Sequence, residues 1–432
     1  MPLLTLLLLA APAFASEDTP TELPADAPVP ATYRLVTLQT VSATAPGNFD
    51  PQSSGAELVL VSQWTVGTTF QVLGTTPDAS RLSLSGLQGG LNNYNGFDGF
   101  DEFDRLDVGD FDADGTSDLV VSFGTERWIF LRQGSTFQDS RHVETKVPGP
   151  DDPLMQYGKT CGANDVDGDG KADLARLMTH FAPPPYTDYQ WLGSKTDYKA
   201  IASWVGPETL NGQCVGQGDI DGDGRADAVL QVDAGTTRNW FGVVSWARVN
   251  PTVWTSTRSG GVEGILLADA NGDGKADLWL QYDANGQRVW QVRLSDGKSF
   301  PTIYATAIAN TADGPYRNLR LAGLGDVDGD GKADLWLQYD DPQGTRHWEV
   351  RRSTGTAFAA PAEFSKTSSA AVDALAIADA DGDGKADLWV QWDRSATDRQ
   401  YQVRLSAGTT AGATLGGAGM TMGRSTRIEW SD

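Results

Sequence analysis

Nine residues with the pattern Asp-x-Asp-x-Asp-Gly-x-x-Asp recur six times in this chain, once with Asn in place of the second Asp, and each copy runs straight into a short apolar stretch. The copies place Asp110, Asp112, Asp114 and Asp118 around Gly115; Asp165, Asp167, Asp169 and Asp173 around Gly170; and Asp219, Asp221, Asp223 and Asp227 around Gly224. They continue with Asp269, Asn271, Asp273 and Asp277 around Gly274; Asp326, Asp328, Asp330 and Asp334 around Gly331; and Asp379, Asp381, Asp383 and Asp387 around Gly384. Their first residues are 55, 54, 50, 57 and 53 apart. A period of this size marks a repeat architecture, in which one small unit is copied and stacked.

Alternate aspartates at positions 1, 3 and 5 of a tight loop turn their carboxylates toward one point. Glycine at position 6 permits the sharp turn, where a Cβ would clash. The carbonyl of position 7 and the aspartate of position 9 complete a cage of oxygens. Such a cage suits a hard cation, and a flexible set of six to eight oxygens suits Ca²⁺ better than Mg²⁺. All 24 residues named above are therefore candidate ligands, for about six Ca²⁺ with a structural role. Without a cation, carboxylates this close repel and some stay protonated. An EF-hand is excluded: position 12, where that loop needs glutamate, holds Val121, Arg176, Leu230, Leu280, Leu337 and Val390. The segment after each loop reads as a buried strand, as in Leu335-Trp336-Leu337.

The chain of 432 residues carries a formal charge of -24, which six divalent cations would halve. An acidic balance argues against nucleic acid and against anionic membrane surfaces. Residues 1–15 read as a signal peptide, with an apolar run that ends in Ala13-Phe14-Ala15 but lacks a basic residue before it. Residues 16–33 form a Pro-rich tether that is disordered or extended. No segment is long and apolar enough to span a bilayer. The expected location is secreted, periplasmic or cell-surface, where calcium is plentiful. The two cysteines, Cys161 and Cys214, precede adjacent loops by four and five residues. They suit a disulfide in an oxidising compartment or serve as small buried hydrophobes.

Residues 34–432 read as the repeat array. Each unit contains an apolar strand, the Asp loop, a second strand, a turn, a third strand and an irregular fourth, which describes a propeller blade. A degenerate copy stands upstream: Asn48-Phe49 aligns with Asp110-Phe111, and Glu57 falls at the closing position. Six intact copies and one degenerate copy predict an all-β, seven-bladed β-propeller. Two segments break the period, Gly89 to Asp104 and His180 to Tyr189. Both are expected to be surface loops, carrying Tyr94, Phe97, Phe100, Tyr186 and Tyr189 as ligand-contacting aromatics.

The loop followed by Ala-Asp-Leu-Trp-Leu resembles the FG-GAP/VCBS repeat family, whose blades also form the propeller of integrin α-subunits. The resemblance implies Ca²⁺ in the hairpin loop between the first and second strands of each blade. It implies less about activity, because the family serves in adhesins, lectin-like proteins, toxin components and accessory domains of enzymes.

Fourteen tryptophans are many for this length. Trp279, Trp336 and Trp389 share one position of the second strand, and Trp290, Trp348 and Tyr401 one position of the third. They read as fillers between blades or as a stacking platform for sugars. Gln281, Gln338, Gln391, Arg293, Arg351 and Arg404 supply hydrogen bonds in either case. The three histidines fall in no metalloprotease pattern, and no nucleophile elbow or phosphate loop is present. The expectation is a non-catalytic exported module for binding or adhesion, taking an extracellular protein or glycan. The alternative is a secreted polysaccharide lyase or hydrolase built on the same scaffold.

Overall fold

The structure, a computed structural model, describes residues 38–49, 55–64, 67–75, 82–86, 105–123, 126–133, 136–144, 155–180, 186–192, 199–205, 213–244, 252–258, 261–309, 314–369, 371–395 and 398–421. Residues 1–15, the tether and the segment with Tyr94, Phe97 and Phe100 lie outside them. Among the described residues the strands form seven four-stranded sheets, each a meander of consecutive antiparallel strands. They are numbered here in chain order. Sheet 6 is representative, with strands Arg317–Gly325, Asp334–Asp340, Arg346–Arg351 and Ala362–Thr367.

The second strand shows why the sheets stack. In sheet 5, Asp277 to Leu280 are buried at every position, so the strand is apolar on both faces and needs a neighbour on each. The neighbours are the adjacent sheets. Trp279 and Trp290 of sheet 5 pack with Leu335 and Leu337 of sheet 6. Trp336 and Trp348 of sheet 6 pack with Leu388 and Val390 of sheet 7. Leu58 and Leu73 of sheet 1 join Trp389, Tyr401 and Val403 of sheet 7, so the last sheet meets the first. The architecture is a β-propeller. Turns between second and third strands are short: Asn285 and Gly286 both take positive φ, as a two-residue hairpin turn of matching twist requires.

The repeated aromatics are core. Trp279, Trp290, Trp336, Trp348 and Trp389 are fully buried, which leaves no platform for a sugar at these positions. The recurring polar residues link sheets. Gln338 Oε1 accepts from the Ala374 N–H of sheet 7 and from the Trp348 indole. Arg404 reaches back to Ser365 Oγ of sheet 6 and lies over Trp348, 4.6 Å from its ring centre.

The expected surface loop from His180 to Tyr189 is shorter in the structure. The second strand of sheet 3 runs to His180 and the third begins at Tyr186, with Tyr186 opposite His180 and Tyr189 opposite Leu177. The prolines, which cannot donate to a ladder, are confined to 183–185. The alternating Tyr186-Thr187-Asp188-Tyr189 beyond them pairs as a strand. Cys214, at the start of the first strand of sheet 4, is disulfide-bonded; the Cys161 side chain lies outside the described residues.

Candidate metal centres

Each Asp loop joins the first and second strands of its sheet. The position-1 carboxylate organises it. In sheet 6, Asp326 Oδ1 accepts from the N–H groups of Asp328, Gly329 and Asp330, and Oδ2 from that of Gly331 at 2.6 Å. At Asp110, Asp165, Asp219, Asp269 and Asp379 the position-4 N–H again donates to Oδ1 and the position-6 N–H to Oδ2. Gly331 has φ 81°, and its counterparts Gly115, Gly170, Gly224, Gly274 and Gly384 fall between 81° and 87°, the left-handed region where a side chain is strained.

Position 9 opens the second strand and is buried. Asp334 Oδ2 accepts from the Val327 N–H of its own loop at 3.0 Å, and Oδ1 from the Ser353 N–H beyond the third strand at 2.7 Å. Asp277 and Asp387 repeat both bonds. Burial pushes Asp118, Asp173, Asp277, Asp334 and Asp387 up to about 7, against backbone hydrogen bonds that pull them down. Desolvation likewise raises Asp112, Asp221 and Asp381 at position 3, with the position-5 aspartate of the same loop adding to it.

Five loops bring an oxygen from each of positions 1, 3 and 9 within 4.8 Å of one another: Asp110, Asp112 and Asp118; Asp165, Asp167 and Asp173; Asp219, Asp221 and Asp227; Asp326, Asp328 and Asp334; and Asp379, Asp381 and Asp387. In the sixth, Asn271 takes position 3 between Asp269 and Asp277, so two carboxylates and an amide stand there.

Position 5, at Asp114, Asp169, Asp223, Asp273, Asp330 and Asp383, stands apart from these groups. Each accepts instead from the N–H two residues on, as at Lys332 to Asp330 Oδ1, 3.0 Å. A lysine at position 7 holds the other oxygen at Asp273, Asp330 and Asp383. An Asx turn and a local ion pair satisfy this carboxylate where it stands.

The donor set fits a hard divalent cation. All the gathered atoms are oxygens, three carboxylates meet at one point, and Asp328 Oδ1 is buried with no hydrogen-bond partner. A buried acceptor without a partner is costly, and a cation among the three carboxylates would satisfy it.

Two features escape a reading of the loops alone. Ser295, Ser353 and Ser406 each donate an N–H to the closing aspartate of their own sheet and a hydroxyl to the preceding sheet, at Ile220, Ala270 and Val327. Their signal is a second repeat, Arg-x-Ser-x-Gly, at 293–297, 351–355 and 404–408. The second feature is the residue at position 8, whose N–H donates to the position-1 carbonyl of the preceding loop. These bonds run from Ser117 to Asn48, Ala172 to Asp110, Ala226 to Asp165, Ala276 to Asp219, Ala333 to Asp269, Ala386 to Asp326 and Ala56 to Asp379.

Residues 326–390, which span two Asp loops, match the FG-GAP-like repeat model. No curated protein matches the chain. Among solved structures, the chain is similar to an Agrocybe aegerita lectin that recognises non-reducing terminal N-acetylglucosamine, at 15% identity and TM-score 0.54 over 88% of this chain and 93% of that one. It also matches a protein from Lactobacillus plantarum at 12% identity and TM-score 0.42, over 88% and 96%. A further match is an exotype rhamnogalacturonan lyase, at 13% identity and TM-score 0.35 over 79% and 71%.

Proposed function

Starting from a β-propeller that carries an FG-GAP-like repeat, we propose a calcium-braced, seven-bladed binding module that works outside the cytosol and performs no chemistry of its own. The observation that carries this reading is the convergence of positions 1, 3 and 9 in five loops at one end of their sheets. When bound, the cation supplies positive charge that lets these carboxylates stay ionised together. The rest is done by the chain. The position-1 aspartate fixes the turn, the position-9 aspartate ties the loop to the second strand, and the position-8 N–H ties each loop to the one before.

Equivalent centres repeated from sheet to sheet suit bracing better than a single reactive metal. Because each cation binds the folded cage and scarcely the unfolded chain, a hundredfold excess over Kd stabilises by about 2.7 kcal/mol per site. Cation removal is therefore expected to lower the melting temperature by many degrees; an unchanged melting curve in excess chelator would overturn the bracing role. As to the ligand, the likeness to a lectin favours a glycan over a protein. A glycan array probed with the calcium-loaded chain, beside a turnover assay on the same glycans, tests this: retention without cleavage supports it, and product formation refutes it.

A further inference from the structure

Resting on the cation reading above, we propose that Thr75, Ser295, Ser353 and Ser406 are positioning residues that couple neighbouring cation loops, so that the loops fill cooperatively rather than one by one.

The geometry is an unbroken run of hydrogen bonds through successive sheets. In sheet 7 the Ser406 N–H donates to Asp387 Oδ1 at 2.7 Å, and its hydroxyl donates to the Val327 carbonyl of sheet 6 at 2.7 Å. Val327 occupies position 2 of its loop, between ligand positions 1 and 3, and its own N–H donates to Asp334 Oδ2. Asp334 Oδ1 then accepts from Ser353, whose hydroxyl reaches the Ala270 carbonyl of sheet 5. Ala270 N–H donates to Asp277 Oδ2, Asp277 Oδ1 accepts from Ser295, and the Ser295 hydroxyl reaches the Ile220 carbonyl of sheet 4. Ile220 N–H in turn donates to Asp227 Oδ2. Among the described residues four closing carboxylates are thus joined, each to the next through one serine and one peptide.

The position-2 peptide is the shared part. Its N–H is held by the closing aspartate of its own loop, and its carbonyl by the serine that the next sheet's closing aspartate holds. A cation that fixes one closing carboxylate thereby fixes the serine beside it and the peptide between two ligands of the preceding loop. That peptide no longer has to be ordered when the preceding loop takes its own cation, and order already in place is the source of positive coupling. Hydrogen bonds in series also polarise one another.

Sheet 1 supplies the fixed end. Thr75 stands where the serines stand, one residue past the partner of the closing position, and its hydroxyl donates to the Ala380 carbonyl of sheet 7 at 3.1 Å. Ala380 is position 2 of that loop. Its N–H is held by Asp387, so sheet 1 holds this peptide through the Thr75 hydroxyl.

The test is a calcium titration of the cation-free full chain, read by calorimetry and by ion content, on the parent, Ser406→Ala, Ser406→Thr and Thr75→Val. Coupling predicts a parent isotherm steeper than independent sites allow. Ser406→Ala should flatten it, with binding at the Asp326 loop weakened on the order of tenfold and the total ion count unchanged. Ser406→Thr, which keeps the hydroxyl, should restore the steepness, and Thr75→Val should weaken the Asp379 loop in the same way. Cation uptake that is equally steep in the parent, Ser406→Ala and Thr75→Val overturns the coupling while leaving the cation reading intact. A parent that takes up no cation overturns both.

Discussion

Sheets 1 and 6 solve the same local problem with different side chains. Val327 of sheet 6 is held by the buried carboxylate of Asp334 at 3.0 Å, and Phe49 of sheet 1 by the buried carboxylate of Glu57 at 2.7 Å. In sheet 6 that carboxylate faces Asp326 and Asp328. In sheet 1, position 1 is Asn48, whose amide donates to the Gly115 carbonyl of the next loop. The extra methylene of Glu57 fits because Gly74 lies across from it; a Cβ there would come within 2.6 Å of Glu57 Cγ. The closing carboxylate therefore has two separable duties. It fixes the backbone of position 2 in both sheets, and in sheet 6 it also stands with Asp326 and Asp328 as a candidate cation ligand.

The largest effect that would sharpen this contrast lies one residue beyond the loop's first apolar contact. Trp336 fills the space between sheets 6 and 7 and donates its indole N–H to the Gly325 carbonyl at 3.0 Å. The matching residue of sheet 1 is the smaller Val59, also buried. Trp336→Ala is expected to cost about 3–5 kcal/mol in denaturant unfolding, without loss of cations from the protein that remains folded. A cost under about 1 kcal/mol would mean that the sheets do not depend on this aromatic.

Next in size is the exchange at the closing position itself. Asp334→Ala should remove one cation of about six and weaken the fold. Glu57→Ala should leave the ion content as in the parent, yet still destabilise by about 1–3 kcal/mol, because the Phe49 N–H loses its acceptor in a buried place. Ion content by mass spectrometry or atomic absorption decides. A lost cation in Glu57→Ala would give sheet 1 a site that the comparison denies it.

A pH dependence arises from the buried aspartates. Burial holds Asp334 and Asp387 at about 7 in the folded chain, whereas the unfolded chain releases those protons near the usual carboxylate range. Between the two, the folded state binds more protons, so this stabilisation is complete at low pH and is lost as pH rises through about 7. The cation-free protein should accordingly melt several degrees higher at pH 5.5 than at pH 7.5, whereas the calcium-loaded protein should show the reverse, because protons displace the cation. Asp334→Asn should reduce the slope of the cation-free protein; no change would assign the effect to other groups.

Much of this is legible in the chain. The spacing of Asp326, Asp328 and Asp334, the positive φ of Gly331 and the buried run after it all derive from residue type and period. The parts that are not legible depend on the neighbouring sheet. Position 4 is glycine in five loops, and Gly329 takes φ 79° beside the Lys385 stem of the next loop; a single repeat gives no reason for it. The hydroxyl of Ser406 reads as a turn residue that meets Gly408 of its own sheet, and its second partner, the Val327 carbonyl, exists only when sheet 6 lies against it. Asp330 belongs by spacing among the gathered ligands, but its carboxylate is satisfied locally by Lys332, a competition that spacing cannot rank.

The smallest effect concerns the residue that sheet 6 places where sheet 1 has Gly74. Arg352 lies opposite Asp334 and pairs with Asp328 Oδ2 at 2.5 Å, which leaves Asp328 Oδ1 buried and without a partner. The corresponding residues of sheets 5 and 7 are Leu294 and Leu405, which bring no charge. The Arg352 side chain is 44% exposed, so the pair contributes little to stability in water, within about 0–1 kcal/mol. It does offer a positive charge to a carboxylate that the cation also needs. Arg352→Leu should leave the melting temperature of the cation-free protein nearly unchanged and tighten calcium binding at this loop a fewfold. Weaker binding in Arg352→Leu would show that the arginine orients Asp328 for the cation rather than competing with it.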